Sequence, residues 1–347
     1  MVVGIVVAGL AVALGLGAVV VLLGARETTL WIASADEALV GRVDIEGGRI
    51  SGTVDVGSSS VEVVSQDDEA VVVYDTDASR VLVVDPSEQE ITDAPVRVPV
   101  GSRVEAGGGV AAVLDTAGGE LWVTSVAGLG ELDVTSDAPA LDGLSSGSRV
   151  AVGLDGVTYV VDPGRAALFT VDQEGELADA DGVPLQRVSD GDDLLVTAVG
   201  DAPVVLDRTN GRLYLPGSVV DVHASRDARL QRPGPTADAV LLATSSALVS
   251  HPLDGGPAGV VAAGGQTPPA PVFVDGCGYA AWHGTGAVVR DCPGTEDDLV
   301  GRVDAGDDAE LRFRFAGDAV VLNDQRSGAA WRAAGDLGPI GEWPDGP

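Results

Sequence analysis

Five stretches of this chain repeat one formula. They read "DTDASRVL" from Asp75, "DTAGGELW" from Asp115, "DPGRAALF" from Asp162, "DRTNGRLY" from Asp207 and "DQRSGAAW" from Asp324. A small residue stands four positions after each Asp, and it is Gly at Gly119, Gly211 and Gly328. An apolar residue follows at position six. A large one follows at seven, namely Leu82, Trp122, Phe169, Tyr214 and Trp331. Short apolar runs flank every copy.

The spacing constrains the fold most. Asp75, Asp115, Asp162 and Asp207 stand 40, 47 and 45 residues apart, and the 117 residues to Asp324 make three steps of 39. Two worn copies, "AVLLATSSALVSHPLD" and "CGYAAWHGTGAVVRDC", fall at the intermediate positions. A further one, "LWIASADEALVGRVD", lies upstream and lacks a leading strand. A strand such as "SVEVV", "SRVEAG" or "ELRFRF" precedes the hairpins, and a fourth such as "EITDAPVRV" or "LGELDVT" follows them. Four short strands every ~40 residues is the pattern of a β-propeller blade. The expectation is an all-β propeller of seven or eight four-stranded blades over residues 27–343, a ring that pairing of its N- and C-terminal strands could close. Residues 344–347 read as the start of a linker or tail.

The formula itself reads as a turn. An Asp ending a strand accepts a backbone N–H two residues on. The small residue suits a positive-φ position, and the next two side chains point to opposite faces of the blade. This architectural reading is preferred to a ligand motif.

Composition agrees. Val, Gly and Asp are abundant, which suits strands and tight turns. Hydrophobic residues make up 45% of the chain, enough to bury a core. All 20 basic residues are arginine, and the formal net charge is −33. That balance excludes nucleic acid as a partner and disfavours docking on an anionic membrane surface.

Residues 2–24 carry no charged or polar side chain. About 20 apolar residues span a bilayer, and the run exceeds a signal-peptide core. Residues 1–26 are therefore expected to form one transmembrane helix, an uncleaved anchor. Cys277 and Cys292 are the only cysteines. A hairpin about Gly284-Thr285, with the two-residue turn that Gly favours, places them face to face as a hydrogen-bonded pair. They read as a disulfide, with a bulge or wider loop relaxing the geometry. A disulfide belongs to an oxidising compartment, which puts the propeller outside the cytoplasm at the cell surface.

Signals for chemistry are weak. "GLSSG" from Gly143 matches G-x-S-x-G but sits in a connection rather than on a strand–turn–helix. His223, His251 and His283 lack metal-ligand spacing. The acidic runs Asp179–Gly182 and Ser189–Asp193 do not match a calcium loop. No catalytic, cofactor or metal residues are assigned.

The hairpins "LDTAGGELW" and "NDQRSGAAW" resemble repeats of quinoprotein-type propellers. That resemblance implies fold more than activity, and no cofactor ligand set carries over. The lysine-free composition and the final unit "VVLNDQRSGAAWRAAGDLGPIGEW" also resemble membrane-anchored actinobacterial surface proteins. In those, a propeller precedes fibronectin type III or immunoglobulin-like domains. The resemblance implies a non-catalytic binding or scaffold module with a protein or cell-wall partner. The alternative is an extracytoplasmic propeller enzyme, either a quinoprotein-like oxidoreductase or a lyase.

Overall fold

The computed structural model describes residues 30–66, 69–92, 94–222, 226–341 and 343–344. Its strands form eight antiparallel sheets that follow one another along the chain, the eight blades of a propeller. Blades four to seven have four strands, whereas blades one, three and eight have three. The leading strands of blades two to eight form the inner ring. They are Val61–Gln66, Arg103–Gly107, Arg149–Val152, Leu194–Val199, Arg229–Leu230, Val272–Val274 and Leu311–Ala316.

Two of the expected fourth strands differ. "LGELDVT" forms no strand: its first three residues end a 3-10 turn over Val126–Glu131, and Leu121 bridges to Leu141 instead. "EITDAPVRV" is split into Glu90–Ile91 and Val96–Arg97, both pairing with Arg80–Asp85. Pro95 lies in the break, where it has no N–H to give a ladder.

Both faces of each blade are apolar because each is covered by a neighbour. Trp122 packs with Val72, Tyr74 and Val113 between blades two and three. Its neighbour Leu121 points the other way, to Val150, Val160 and Phe169 between blades three and four. The same division holds for Leu168 and Phe169, Leu213 and Tyr214, and Ala330 and Trp331. Strand alternation at period two is the cause.

In the five repeat turns the Asp carboxylate takes a backbone N–H two residues on, as expected, at Asp115, Asp162 and Asp324, and three residues on at Asp75 and Asp207. The Asp Oδ1 accepts the N–H of Ala78 (from Asp75), Ala117 (Asp115), Gly164 (Asp162), Asn210 (Asp207) and Arg326 (Asp324). The residue four positions on has positive φ in every copy: Ser79 48°, Gly119 72°, Ala166 48°, Gly211 64° and Gly328 79°. The carboxylate also reaches the chain entering the blade. Ser58 Oγ, Ser145 Oγ and the Glu310 N–H donate to Asp75, Asp162 and Asp324.

Among the described residues, no strands of the two ends share a sheet. Leu30–Ser34 pairs with Leu39–Asp44 and is buried throughout, like the second strands elsewhere. Side chains satisfy its other edge. Trp31 N–H donates to Gln66 Oε1, and Ala33 exchanges hydrogen bonds with the Asn323 amide at 3.1 and 3.2 Å. Face packing of Leu30, Ile32 and Ile50 on Val321, Ala330 and Ile340 completes the join. Trp343 Nε1 caps it by donating to Gly328 O at 2.9 Å.

Cys277 and Cys292 are bonded. Their hairpin keeps the expected register, with Gly278 opposite Asp291 and Ala281 opposite Val288. The loop is not the two-residue turn. Gly286 N–H reaches back to Trp282 O at 3.1 Å, as Gly119 N–H does to Asp115 O. The four-residue loop shifts the hydrogen-bonding phase, so the cysteines occupy a narrow, non-hydrogen-bonded site with Cα atoms 4.2 Å apart. The anchor expected over residues 1–26 lies outside the described residues. Among those described, no helix is long and apolar enough to cross a membrane.

A Cβ on Gly119 would lie 2.4 Å from Leu144 O, in addition to needing φ of 72°. Gly119→Ala should therefore cost about 1–3 kcal/mol and lower the denaturant midpoint. An unchanged midpoint would show that the turn does not hold the blade.

Candidate functional site in the central channel

Several inner strands carry charge, whereas the second strands beside them are uncharged up to the Asp that closes them. Arg103 and Arg149 open two of these strands, Arg229 opens a third, and Arg312 and Arg314 lie on the last. Arg208 and Arg232 join them from neighbouring connections. Seven of the 20 basic residues of a chain with net charge −33 thus gather about the channel. Burying charge is costly unless something compensates it, so this concentration marks the channel as more than a packing feature.

At the end where the inner strands begin, Arg208 pairs with Asp193 at 2.7 Å, and Arg149 reaches the same carboxylate at 4.0 Å. Burial pulls the Arg149 guanidinium below its ordinary pKa, and the field of Arg103 adds to this. Burial and the nearby Arg208 do the same to Arg229.

Deeper in the channel lie Glu62, Glu105, Arg232, Arg312 and Arg314. Arg232 follows the inner strand of blade six and donates to Val64 O of blade two at 2.8 Å. Those blades are diametrically opposed in a ring of eight, so this side chain spans the channel. Glu62 faces Arg312 at 3.7 Å. Burial pushes the Glu62 carboxyl upward, but Arg312, Arg314 and Arg232 together outweigh it and hold it below the ordinary range. Glu105 has the opposite balance. Burial, with help from the Glu62 charge, pushes it up to about 7 against the pull of Arg232. Burial beside Arg232 pushes Arg314 down to about 9.

Arg314 is 3% exposed, and its Nε and Nη2 have no hydrogen-bond partner. It lines a cavity of about 320 Å³ that opens where the inner strands end. Val63, Val152, Leu154, Pro233, Phe313 and Phe315 supply its apolar wall, and Glu105 and Arg232 share its polar side. The turn Gly107–Gly109 forms part of the rim. Gly108 has φ of 55°, and a Cβ there would meet Gly156 N at 2.3 Å, so the rim requires glycine.

The residues singled out in the sequence lie elsewhere. Asp75, Asp115, Asp162, Asp207 and Asp324 are turn residues at the inner-strand-start face, and their aromatic partners lie between blades. Ser145 of "GLSSG" donates to Asp162 within such a turn, with no helix following. His251 lines a separate groove with Val222 and Val249, and His283 Nδ1 lies 2.7 Å from Ala309 O. His223 is outside the described residues. Among the described residues no three His, Cys, Asp or Glu side chains cluster as a metal site. The channel residues were missed because they are what the repeats do not share. Their signal was a charge at alternate positions of the leading strands, as in "SVEVV", "SRVEAG" and "ELRFRF".

Glu105 predicts a pH dependence. Its unfolded value is near 4.5 and its folded value about 7. The native state is therefore not penalised below pH 4.5, and it loses stability as pH rises through 7. Glu105→Gln, permanently neutral, should raise the unfolding midpoint at pH 8 by an amount on the order of 2 kcal/mol, and should leave it unchanged at pH 4. Equal midpoints at pH 8 would contradict the burial of this carboxyl.

No protein-family model and no curated protein sequence matches this chain. Solved structures do resemble it. Dihydro-heme d1 dehydrogenase NirN, in complex with DHE, aligns with a TM-score of 0.60 at 13% identity, covering 91% of this chain and 72% of that one. Citrobacter koseri AztD aligns at 0.59 and 13%, covering 90% and 93%. Virginiamycin B lyase from Staphylococcus aureus aligns at 0.53 and 11%, covering 77% and 91%. At such identities the likeness establishes the propeller fold. A lyase, a dehydrogenase and AztD all share it, so it assigns no activity.

Proposed function

We propose that this protein is a non-catalytic extracytoplasmic propeller, anchored at the membrane through residues 2–24, whose channel mouth binds a ligand or a protein or cell-wall partner. The observation that carries this reading is the set of Arg232, Arg312 and Arg314 facing Glu62 and Glu105 in the channel. Guanidinium groups hold their protons at neutral pH, so they bind and orient anionic groups but do not exchange protons with them. The apolar run of residues 2–24 and the Cys277–Cys292 disulfide support the extracytoplasmic placement.

One observation favours a second reading. Glu105, whose carboxyl burial pushes up to about 7, lines the cavity, which suits a general base. Under that reading the protein is a lyase-type enzyme. Arg314 would steady a developing anion while Glu105 takes a proton. The two readings part on Glu105→Gln. Ligand binding survives this change in a binding module, whereas turnover by an enzyme falls by about 10²–10⁴.

Placement is tested on intact cells. Externally added protease should degrade the propeller, and both cysteines should resist alkylation until a reductant is supplied. A propeller that is protected, with thiols that react at once, would refute the extracytoplasmic assignment.

A further inference from the structure

We infer that the cavity bounded by Arg314, Arg232 and Glu105 is a binding site for a small oxyanion, a carboxylate or phosphate group, held on the guanidinium of Arg314. The inference rests on the reading of the channel as the ligand site and adds the chemical class of the ligand.

The two unpartnered donors of Arg314 are Nε and Nη2. In a planar guanidinium these N–H groups lie side by side on one edge. That edge matches the two oxygens of a carboxylate or phosphate. These two atoms have almost no accessible surface, so water does not replace the missing acceptors, and an anion reaches them by a small shift of the Arg314 side chain toward the cavity it lines. The protein's own carboxylates do not fill the edge. Glu62 is set against Arg312, with closest atoms 3.7 Å apart, and Glu105 makes no hydrogen bond to Arg314. Arg232 is occupied by Val64 O.

The surroundings favour an anion over a cation. Three guanidinium groups outnumber two carboxylates, and burial already holds Glu105 partly neutral at pH 7. The volume of about 320 Å³ is at the small end for ligand pockets. Its apolar wall leaves room for a short hydrocarbon body behind the charged group. A bound oxyanion would also offset the mutual repulsion of Arg232 and Arg314.

Calorimetric titration of the full-length protein in detergent with propionate, and separately with inorganic phosphate, tests the site. At least one should bind with one-to-one stoichiometry. The affinity should fall about tenfold or more in Arg314→Met, and less in Arg314→Lys, which keeps the charge but loses the bidentate edge. It should also fall in Leu154→Trp, which places a large ring at a cavity position that is 44% exposed. Which anion binds identifies the source. In case Arg314→Met does not fold, the Arg314 Nε–H resonance of the wild type should move on addition of the anion. Binding retained in Arg314→Met but lost in Leu154→Trp would overturn the role of Arg314 and leave the channel as the ligand site. Binding untouched by both variants would overturn the inference and the channel reading together. No binding of either anion at millimolar concentration would overturn the ligand class alone.

Discussion

The interface between adjacent blades is the contact on which this protein depends. Each sheet presents apolar side chains on both faces, and neither face is covered until a neighbour arrives. Leu121 and Trp122 show the rule in two residues, one for each side. Such a ring is stable only as a whole, because every blade borrows half of its core from the next. The Asp-centred turns serve this end. Asp75, Asp162 and Asp324 tie the hairpin to the segment entering the same blade, which sets the angle at which the inner strand meets the channel.

Closure is the exceptional step. A ring whose first and last strands share a sheet is locked by backbone ladders. Here the join is made by faces and by side chains standing in for a strand. Gln66 and Asn323 satisfy backbone groups of Trp31 and Ala33, groups that inner strands satisfy in other blades. Satisfaction of this kind removes the exposed edge that would otherwise recruit another strand.

The repeat was legible because its determinants are local. A turn needs an Asp and a positive-φ residue within five positions, and alternation then assigns Leu121 and Trp122 to opposite faces. The pairing of Cys277 with Cys292 was legible for the same reason. Its loop type was not, because a hairpin of fixed register can close with two residues or four. The broken fourth strand at Pro95 and the 3-10 turn at Val126–Glu131 were misjudged because outer strands make few contacts and their residues are weakly constrained. The channel was illegible for a different reason. Glu62, Glu105, Arg232 and Arg314 lie far apart in the chain, and only closure of the ring brings them together. Each alone is one charge on or beside a short strand. The inequality between repeats, not their likeness, carries the functional information.

Charge inside a ring of valines has to be compensated, and here the compensation is incomplete at Arg314. A high-resolution crystal structure grown with propionate or phosphate tests that claim most directly. The expected result is an ordered oxyanion bridging Nε and Nη2 of Arg314, with Arg232 still crossing to Val64. A guanidinium swung onto Glu62 or Glu105, with both donors filled by the protein's own carboxylates, would contradict it.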